Sequence, residues 1–409
     1  MKNRSRIYLY TFLIGLPIAA AVGALGWPKY LSSMESDRTA VWGIDKNLIR
    51  DSLSPLISTN NYPRRVLVHH NGESRQATIH YTLDNKLQSS IESVLKAHRP
   101  DYGVFVAVDP DTGRILAMAS HKRDDNNDTN LALAGTYPSA SIFKLVTAAA
   151  AIDLGKVNAE TIIPFNGKTT SLYRKNVFRH EDNQWTQHIP LRIAFAKSVN
   201  TVFGRIGLEQ VGGEKLKTYA TKLGFNRELQ GDFDLSESKS VIKTEDDWRV
   251  VEAAAGYTRR NTISPVHGAL LAAAVINGGR IIPPIIVDSL TDDSGIVLYA
   301  NESEAIEPTI LPRTTKQLQI MMRETVRSGS ARQSFLGFER NDFQGVSVGG
   351  KTGSLSGKNP EGRYDWFVGY AHRGEQKIAF AALCINKDYW YVKSSQIARK
   401  ALENFFSRS

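Results

Sequence analysis

The segments that resemble buried strands lie in two groups at opposite ends of the chain, and this separation is the strongest constraint on its fold. Two apolar strands, 103–108 and 114–119, are joined by the turn sequence Asp109-Pro110-Asp111-Thr112-Gly113. Three more strands are predicted only later, at 345–352, 364–372 and 377–385. Because the residues between the two groups read mainly as helices, we expect an α/β domain of the α+β kind with an antiparallel sheet.

Helical periodicity fills most of the middle region and also closes the chain. The predicted helices are 191–197, 199–211, 214–223, 265–277, 315–328 and 394–406, with a further apolar helix starting near residue 141. Nearer the N-terminus, a hairpin is predicted around Asn71-Gly72, followed by a helix at 83–98. The segment 28–77 is predicted to be a membrane-proximal stalk.

Residues 7–27 carry no charge and follow three cations, Lys2, Arg4 and Arg6. A helix of about 20 apolar residues crosses a hydrocarbon core about 30 Å thick. Cations before such a span keep the N-terminus in the cytoplasm. The sequence therefore predicts a cytoplasmic tail at 1–6, a transmembrane helix at 7–27 and an extracytoplasmic remainder. A cleavable signal peptide, cut near Ala19-Ala20-Ala21, is the alternative.

The charge and cysteine content exclude several classes of function. Lys and Arg number 51 against 41 Asp and Glu, but the excess is scattered, which argues against a nucleic-acid partner. Cys384 is the only cysteine, so no disulfide or cysteine metal site can form within the chain. The nine histidines show no metal-ligand spacing. We therefore expect no metal and no cofactor; a weak cation site at 124–128 is the alternative.

The pattern Ser-x-x-Lys combines a nucleophile with a base one helical turn away. It occurs at Ser93, Ser141, Ser236 and Ser240, and only Ser141 opens an apolar helix. To act as a base at neutral pH, Lys144 must lose about 3 pKa units, roughly 4 kcal/mol of desolvation and like-charge repulsion. A second cation is therefore expected nearby. An ordinary helix start is the alternative.

A second cation is available in the sequence Gly349-Gly350-Lys351-Thr352-Gly353-Ser354, which lies on a predicted strand. Glycines within a strand indicate the close approach of another backbone or a ligand. An edge strand bearing Lys351 could accept a peptide as an added strand and offer a cation to its carboxylate. A phosphate-binding loop is the alternative, but a strand and not a helix follows the motif.

The third group is Lys197-Ser198-Val199-Asn200, between two predicted helices. The Ser198 hydroxyl could relay a proton, and the Asn200 amide could hold a substrate carbonyl. A helix cap at Ser198 is the alternative.

The three groups in this order resemble the motifs of penicillin-binding protein transpeptidase domains, the serine D,D-transpeptidase family. Similar stretches extend the resemblance to about 78–406; they are 81–88, 107–118, 263–266, 277–279 and 365–370. The resemblance implies a domain at 78–409 in which a five-stranded antiparallel sheet is flanked by helices and carries an inserted all-helical subdomain. With so little sequence between anchor and domain, the chain resembles a short, single-anchor form.

The resemblance also implies the catalytic roles. Ser141 would attack the penultimate D-alanine carbonyl of a peptidoglycan stem peptide, and Lys144 would take its proton. Lys351 would supply the second cation, and Ser198 would pass the proton to the departing D-alanine.

Four further residues are implied to bind the substrate. Asn200 would hold the acyl chain, and Thr352 would bind the terminal carboxylate that a penicillin mimics. Gly353 and Ser354 complete the same motif. The backbone N–H groups of Ser141 and Ser354 would form the oxyanion hole.

The implied function is a penicillin-sensitive peptidoglycan D,D-transpeptidase in cell-wall synthesis, held by a single span in the cytoplasmic membrane. Its implied partners are stem peptides, β-lactams, the membrane and a membrane glycan polymerase. A D,D-carboxypeptidase or endopeptidase and a membrane-anchored β-lactamase are enzymatic alternatives. A β-lactam sensor or a scaffold of the cell-wall machinery is the non-enzymatic alternative.

Overall fold

The computed structural model describes residues 44–70, 73–124, 128–179, 181–302 and 306–407. The predicted transmembrane helix at 7–27 lies outside these residues. Among the residues that the structure describes, no helix is long and apolar enough to cross a membrane.

Thirteen strands and twelve helices are present in these ranges. The strands are β1 Arg65–His70, β2 Glu73–Tyr81, β3 Tyr102–Val108, β4 Ile115–Lys122, β5 Tyr137–Pro138, β6 Ile162–Phe165, β7 Gln187–Pro190, β8 Thr262–Ile263, β9 Val287–Asp292, β10 Val297–Ala300, β11 Ser347–Lys358, β12 Glu361–Arg373 and β13 Gln376–Asn386. The helices are α1 Lys46–Ile57, α2 Asn85–His98, α3 Lys144–Asp153, α4 Arg174–Phe178, α5 Leu191–Ala196, α6 Asn200–Arg205, α7 Gly213–Lys222, α8 Asp247–Ala254, α9 Pro265–Ile276, α10 Pro312–Arg327, α11 Arg332–Phe335 and α12 Ser394–Phe406.

The main sheet has five strands in the order β11-β12-β13-β3-β4, and every neighbouring pair is antiparallel. This arrangement confirms the predicted five-stranded antiparallel sheet. Strand β13 pairs with β3. This pairing joins the strands that precede the insertion to those that follow it. Strand β11 is an edge strand and offers one free side.

Helices cover both faces of this sheet. Helix α9 packs against β3, β12 and β13 on one face. On the other face, α2 and α12 share a core with the sheet, in which Leu87, Ile397 and Phe380 are fully buried. Helix α10 lies beside β11 and α5. These contacts bury the apolar sides of the amphipathic helices α2, α10 and α12 and nearly every residue of α9, and they fix the edge strand β11.

The insertion between β4 and β11 is mostly helical, but the prediction that it is all-helical was wrong. Two short antiparallel ribbons, β5 with β8 and β6 with β7, lie within it. Strands of two to four residues are too short to show an alternating apolar pattern, so sequence periodicity does not reveal them.

The described chain divides into two compact units, and the smaller one contains a separate four-stranded antiparallel sheet in the order β1-β2-β9-β10. The predicted hairpin at Asn71-Gly72 supplies its first two strands. Strands β9 and β10, at 287–292 and 297–300, were not predicted: β9 pairs with the distant β2, which leaves no local signal, and β10 has only four residues and pairs with β9. Within this sheet, Arg75 Nη1 and Asp292 Oδ2 form an ion pair at 3.1 Å.

Candidate active site

Ser141 lies in a single 3₁₀ turn, Ala140–Phe143, that leads directly into α3. The turn is strained, because Ala140 has a φ of 47°, in the left-handed region that alanine rarely adopts. Gly256 packs against it so closely that a β-carbon there would lie 2.0 Å from the Ala140 carbonyl oxygen. Trp366 Nε1–H also donates to the Pro138 carbonyl at 2.9 Å. These contacts hold the serine in one position at the helix N-terminus.

The amine of Lys144 is fully buried and has three close partners. Its Nζ lies 2.8 Å from Ser141 Oγ, 2.7 Å from Asn200 Oδ1 and 2.5 Å from the Ala255 carbonyl oxygen. A neutral amine has two N–H donors and one lone pair, and the amide and carbonyl oxygens can only accept. Both N–H groups are therefore directed to these oxygens, which leaves the lone pair facing the Ser141 hydroxyl.

Two effects favour this neutral amine. Burial of Lys144 lowers its pKa well below the ordinary value, and the positive charge of Lys351 lowers that pKa further. Lys351 is thus the second cation that the sequence led us to expect.

Lys351 is also fully buried, and its Nζ donates to Ser198 Oγ at 3.0 Å and to the Thr352 carbonyl at 2.8 Å. Burial lowers the pKa of Lys351 to about 7. Ser198, between α5 and α6, has a φ of 58°, which is the left-handed backbone conformation. Ser198 binds Lys351 and Asn200 binds Lys144, so this short segment places the two lysines close to each other.

The free edge of β11 faces the serine. The carbonyl groups of Thr352 and Ser356 accept hydrogen bonds from Lys351 Nζ and Arg259 Nε, both of which lie outside the sheet ladder. Since backbone groups of every second residue in a strand point the same way, the N–H and C=O of Ser354 also point off this edge. Gly353 permits close approach, because a β-carbon there would lie 3.3 Å from Ser141 N.

The structure therefore brings all eight predicted site residues together around Ser141 and the edge of β11. Ser141, Lys144 and Asn200 form one hydrogen-bonded group, and Ser198, Lys351 and Thr352 form a second. Gly353 and Ser354 continue β11 past the serine. Ser354 is exposed, and its Oγ accepts a hydrogen bond from Arg363 at 2.9 Å.

Sequence reasoning missed two groups at this site. Ser330 Oγ lies 2.5 Å from Thr352 Oγ1 and donates to the Ala196 carbonyl at 3.1 Å. The Ala255 carbonyl, which orients Lys144, follows α8. Neither group belongs to a sequence motif. The one local signal concerns α8, whose start is marked by Asp246, a helix cap whose carboxylate accepts from Trp248 N–H.

Comparison with known proteins identifies the family of this fold and site. The penicillin binding protein transpeptidase domain family matches residues 103–403. Peptidoglycan D,D-transpeptidase PbpA of Mycobacterium tuberculosis is 26% identical over 357 residues, covering 77% of this chain and 68% of PbpA. Stage V sporulation protein D of Bacillus subtilis is 26% identical over 300 residues, covering 69% of this chain but only 45% of that protein.

Solved structures show the same fold. The D,D-transpeptidase domain of the peptidoglycan glycosyltransferase from Eggerthella lenta has a TM-score of 0.66 at 24% identity, over 80% of this chain and 82% of that one. Penicillin-binding protein A from M. tuberculosis has a TM-score of 0.66 at 22% identity, with the same coverage of both chains. The chain therefore belongs to the penicillin-binding protein transpeptidase domain family.

Proposed function

We propose that this chain is a penicillin-sensitive peptidoglycan D,D-transpeptidase that cross-links stem peptides through an acyl-enzyme on Ser141. The observation that carries the proposal is the buried Lys144 amine 2.8 Å from Ser141 Oγ; in its neutral form, two acceptor oxygens take its N–H groups and its lone pair faces the Ser141 hydroxyl. The relative PbpA is named as a peptidoglycan D,D-transpeptidase, which supports the same assignment.

In the acylation step, Lys144 Nζ accepts the Ser141 hydroxyl proton while Oγ forms a bond to the carbonyl carbon of the penultimate D-alanine. The negative charge that develops on the carbonyl oxygen is met by the N–H groups of Ser141 and Ser354. Removal of one such donor typically costs about 10²- to 10³-fold in rate.

The tetrahedral intermediate then collapses as the carbon–nitrogen bond to the terminal D-alanine breaks. The departing nitrogen receives the proton from Lys144 by way of the Ser198 hydroxyl. An amine of a second stem peptide attacks the resulting ester, loses its own proton through the same groups and returns the serine hydroxyl. In this way Ser141 and Lys144 end each cycle in their starting protonation states.

The terminal carboxylate of the donor is held at the other end of the site. The charged Lys351 amine offers donors, and the Thr352 hydroxyl offers one when Ser330, whose Oγ lies 2.5 Å from Thr352 Oγ1, donates to Thr352. Asn200 Nδ2–H is bound to the Thr170 carbonyl at 2.8 Å, which fixes the amide that faces the acyl chain.

The same proposal includes the location of the enzyme. The uncharged residues 7–27 support a single-span anchor in the cytoplasmic membrane, with the catalytic domain at 78–409 outside. A membrane glycan polymerase is the partner that would supply glycan strands at this surface.

The proposal is tested by incubating the protein with a penicillin and following its intact mass. We expect one covalent adduct per chain that persists after free penicillin is removed, and a cross-linked product when a stem-peptide donor and an amine acceptor are added. Rapid loss of the adduct would indicate a β-lactamase. Hydrolysed donor without cross-linked product would indicate a carboxypeptidase, and absence of any adduct would contradict a catalytic role.

The pH dependence of acylation is expected to follow the protonation state of Lys351. Because the charged form of Lys351 binds the carboxylate, the second-order rate constant for acylation should fall as the pH rises through its pKa of about 7. In Lys351→Arg this descending limb should disappear, since arginine stays protonated above pH 12. The measurement is the shape of the pH profile, which does not depend on the overall rate of the variant.

Lys358→Arg, at the exposed end of the same strand, is the matched control and should keep the wild-type limb. An identical descending limb in Lys351→Arg would assign it to another group and remove the proposed carboxylate contact.

A further inference from the structure

We propose that Arg259 and Arg363 make this enzyme select donor stem peptides with a free carboxylate on the residue immediately before the two D-alanines. The inference rests on the proposed function, because it uses the direction in which a donor peptide lies along β11.

That direction follows from where the two reacting ends of the donor are held. Its terminal carboxylate lies at Thr352, and the carbonyl carbon that Ser141 attacks lies beside Gly353. The donor therefore continues along the free edge of β11 toward Ser354 and then Ser356. At about 3.3 Å per extended residue, the residue before the two D-alanines comes opposite 355–356.

Two guanidinium groups lie at this place. Arg259 Nε donates to the Ser356 carbonyl at 2.6 Å, and Arg363 Nε donates to Ser354 Oγ at 2.9 Å. Arg363 is also the register partner of Ser356 on β12. Since Arg259 already occupies the Ser356 carbonyl, backbone pairing by an added strand ends here. The donor residue before the two D-alanines therefore lies beside guanidinium groups and has no free backbone group of β11 to pair with.

Both guanidinium groups keep donors for a ligand. The hydrogen bonds above use only Nε, so the Nη groups remain, in the planar fork that fits a carboxylate. Within the ranges that the structure describes, neither arginine forms an ion pair with an acidic side chain, and both are exposed. The Trp390 ring lies 5.2 Å from Arg363 Cζ and supports that side chain.

One buried acidic group, Asp365, interacts with the charge of Arg363, which counteracts the rise that burial causes in the Asp365 pKa. Asp365 is buried, and its carboxylate accepts from both the N–H and the hydroxyl of Ser394. Because neither guanidinium forms an ion pair in the described ranges, both remain available to a carboxylate at the end of the donor path. A carboxylate on the donor gains charge-assisted hydrogen bonds there, whereas a carboxamide does not.

Two penicillins test this inference, one with a carboxylate and one with a carboxamide on the α-carbon of the acyl side chain. The acyl group of a penicillin takes the place of the residue before the D-alanines, and the two compounds have nearly the same shape. The measurement is the ratio of their second-order acylation rate constants. We expect the carboxylate compound to react about 10- to 100-fold faster, as hydrogen bonds to charged groups allow.

Arg259→Gln and Arg363→Gln should each lower this ratio, and the double variant should bring it close to one. Arg260→Gln removes an exposed cation next to Arg259 and is the matched control, expected to keep the ratio. Raising the salt concentration is a second measurement that needs no variant, and it should shrink the ratio because exposed charges are screened.

Equal rates for the two penicillins in the wild-type protein would overturn the inference and leave the proposed function intact. A ratio that survives in the double variant, or that is insensitive to salt, would also overturn it. Absence of acylation by both compounds would contradict the proposed function itself, so the two failures are distinguishable.

Discussion

Ser141→Ala is expected to abolish the covalent penicillin adduct and cross-linking together. The side chain that forms the acyl-enzyme ester is lost, and the other Ser-x-x-Lys serines cannot replace it. Ser93 is exposed on α2, where its hydroxyl donates to the Ser89 carbonyl at 2.8 Å. Ser236 and Ser240 lie in one loop, the first exposed and the second buried. Among these four serines, Ser141 is the one whose Oγ lies 2.8 Å from the Nζ of a buried lysine. Intact mass after prolonged incubation with penicillin measures the effect.

Ser93→Ala is the matched control, because it removes the same atom from the same sequence pattern and should leave adduct formation unchanged. The thermal unfolding midpoint of Ser141→Ala should stay close to that of the wild-type protein, since the lost hydroxyl contributes one hydrogen bond of about 1 kcal/mol. A full-mass adduct on Ser141→Ala would show that another residue is the nucleophile.

The main sheet and most of its helices could be predicted because their signals are local. The closing helix at 394–406 was predicted with the bounds that the structure has, and the strands at 364–372 and 377–385 differ from β12 and β13 by only a few terminal residues. The helix shows an apolar repeat of helical period, and the two strands are continuous apolar runs bounded by turn residues. Strand β9 is different, since its pairing with β2, about 200 residues earlier, is a contact that no window of sequence contains, and β10 joins the sheet only through β9.

The site shows the same division between local and distant information. Ser141 and Lys144 lie one turn apart and carry a pattern, and Lys351 lies among glycines that a strand otherwise avoids. By contrast, the Ala255 carbonyl is a backbone group that any residue possesses, and its distance of 2.5 Å from Lys144 Nζ depends on how α8 packs. Side-chain chemistry could be assigned from the sequence, but the backbone acceptors that orient it could not.

The role of Lys144 as a base, and not merely as a charge, is tested by comparing Lys144→Met with Lys144→Arg. Both variants are expected to slow acylation by about 10²- to 10⁴-fold, the usual contribution of general-base catalysis. Arginine introduces a permanent cation and keeps hydrogen-bond donors toward Asn200 and Ala255, but it has no lone pair to accept a proton at accessible pH. The measurement is the second-order rate constant for acylation, taken across the pH range.

The two variants also separate chemistry from folding. Lys144→Met leaves the Asn200 and Ala255 oxygens without their buried donor, at a cost of about 1–3 kcal/mol, whereas Lys144→Arg forces a permanent charge into the same space. Arginine is therefore expected to lower the thermal unfolding midpoint more than methionine, although both slow acylation to a similar extent. If Lys144→Arg instead retained most of the wild-type rate, a positive charge beside Ser141 would be the requirement. The directed lone pair would then not be the basis of catalysis.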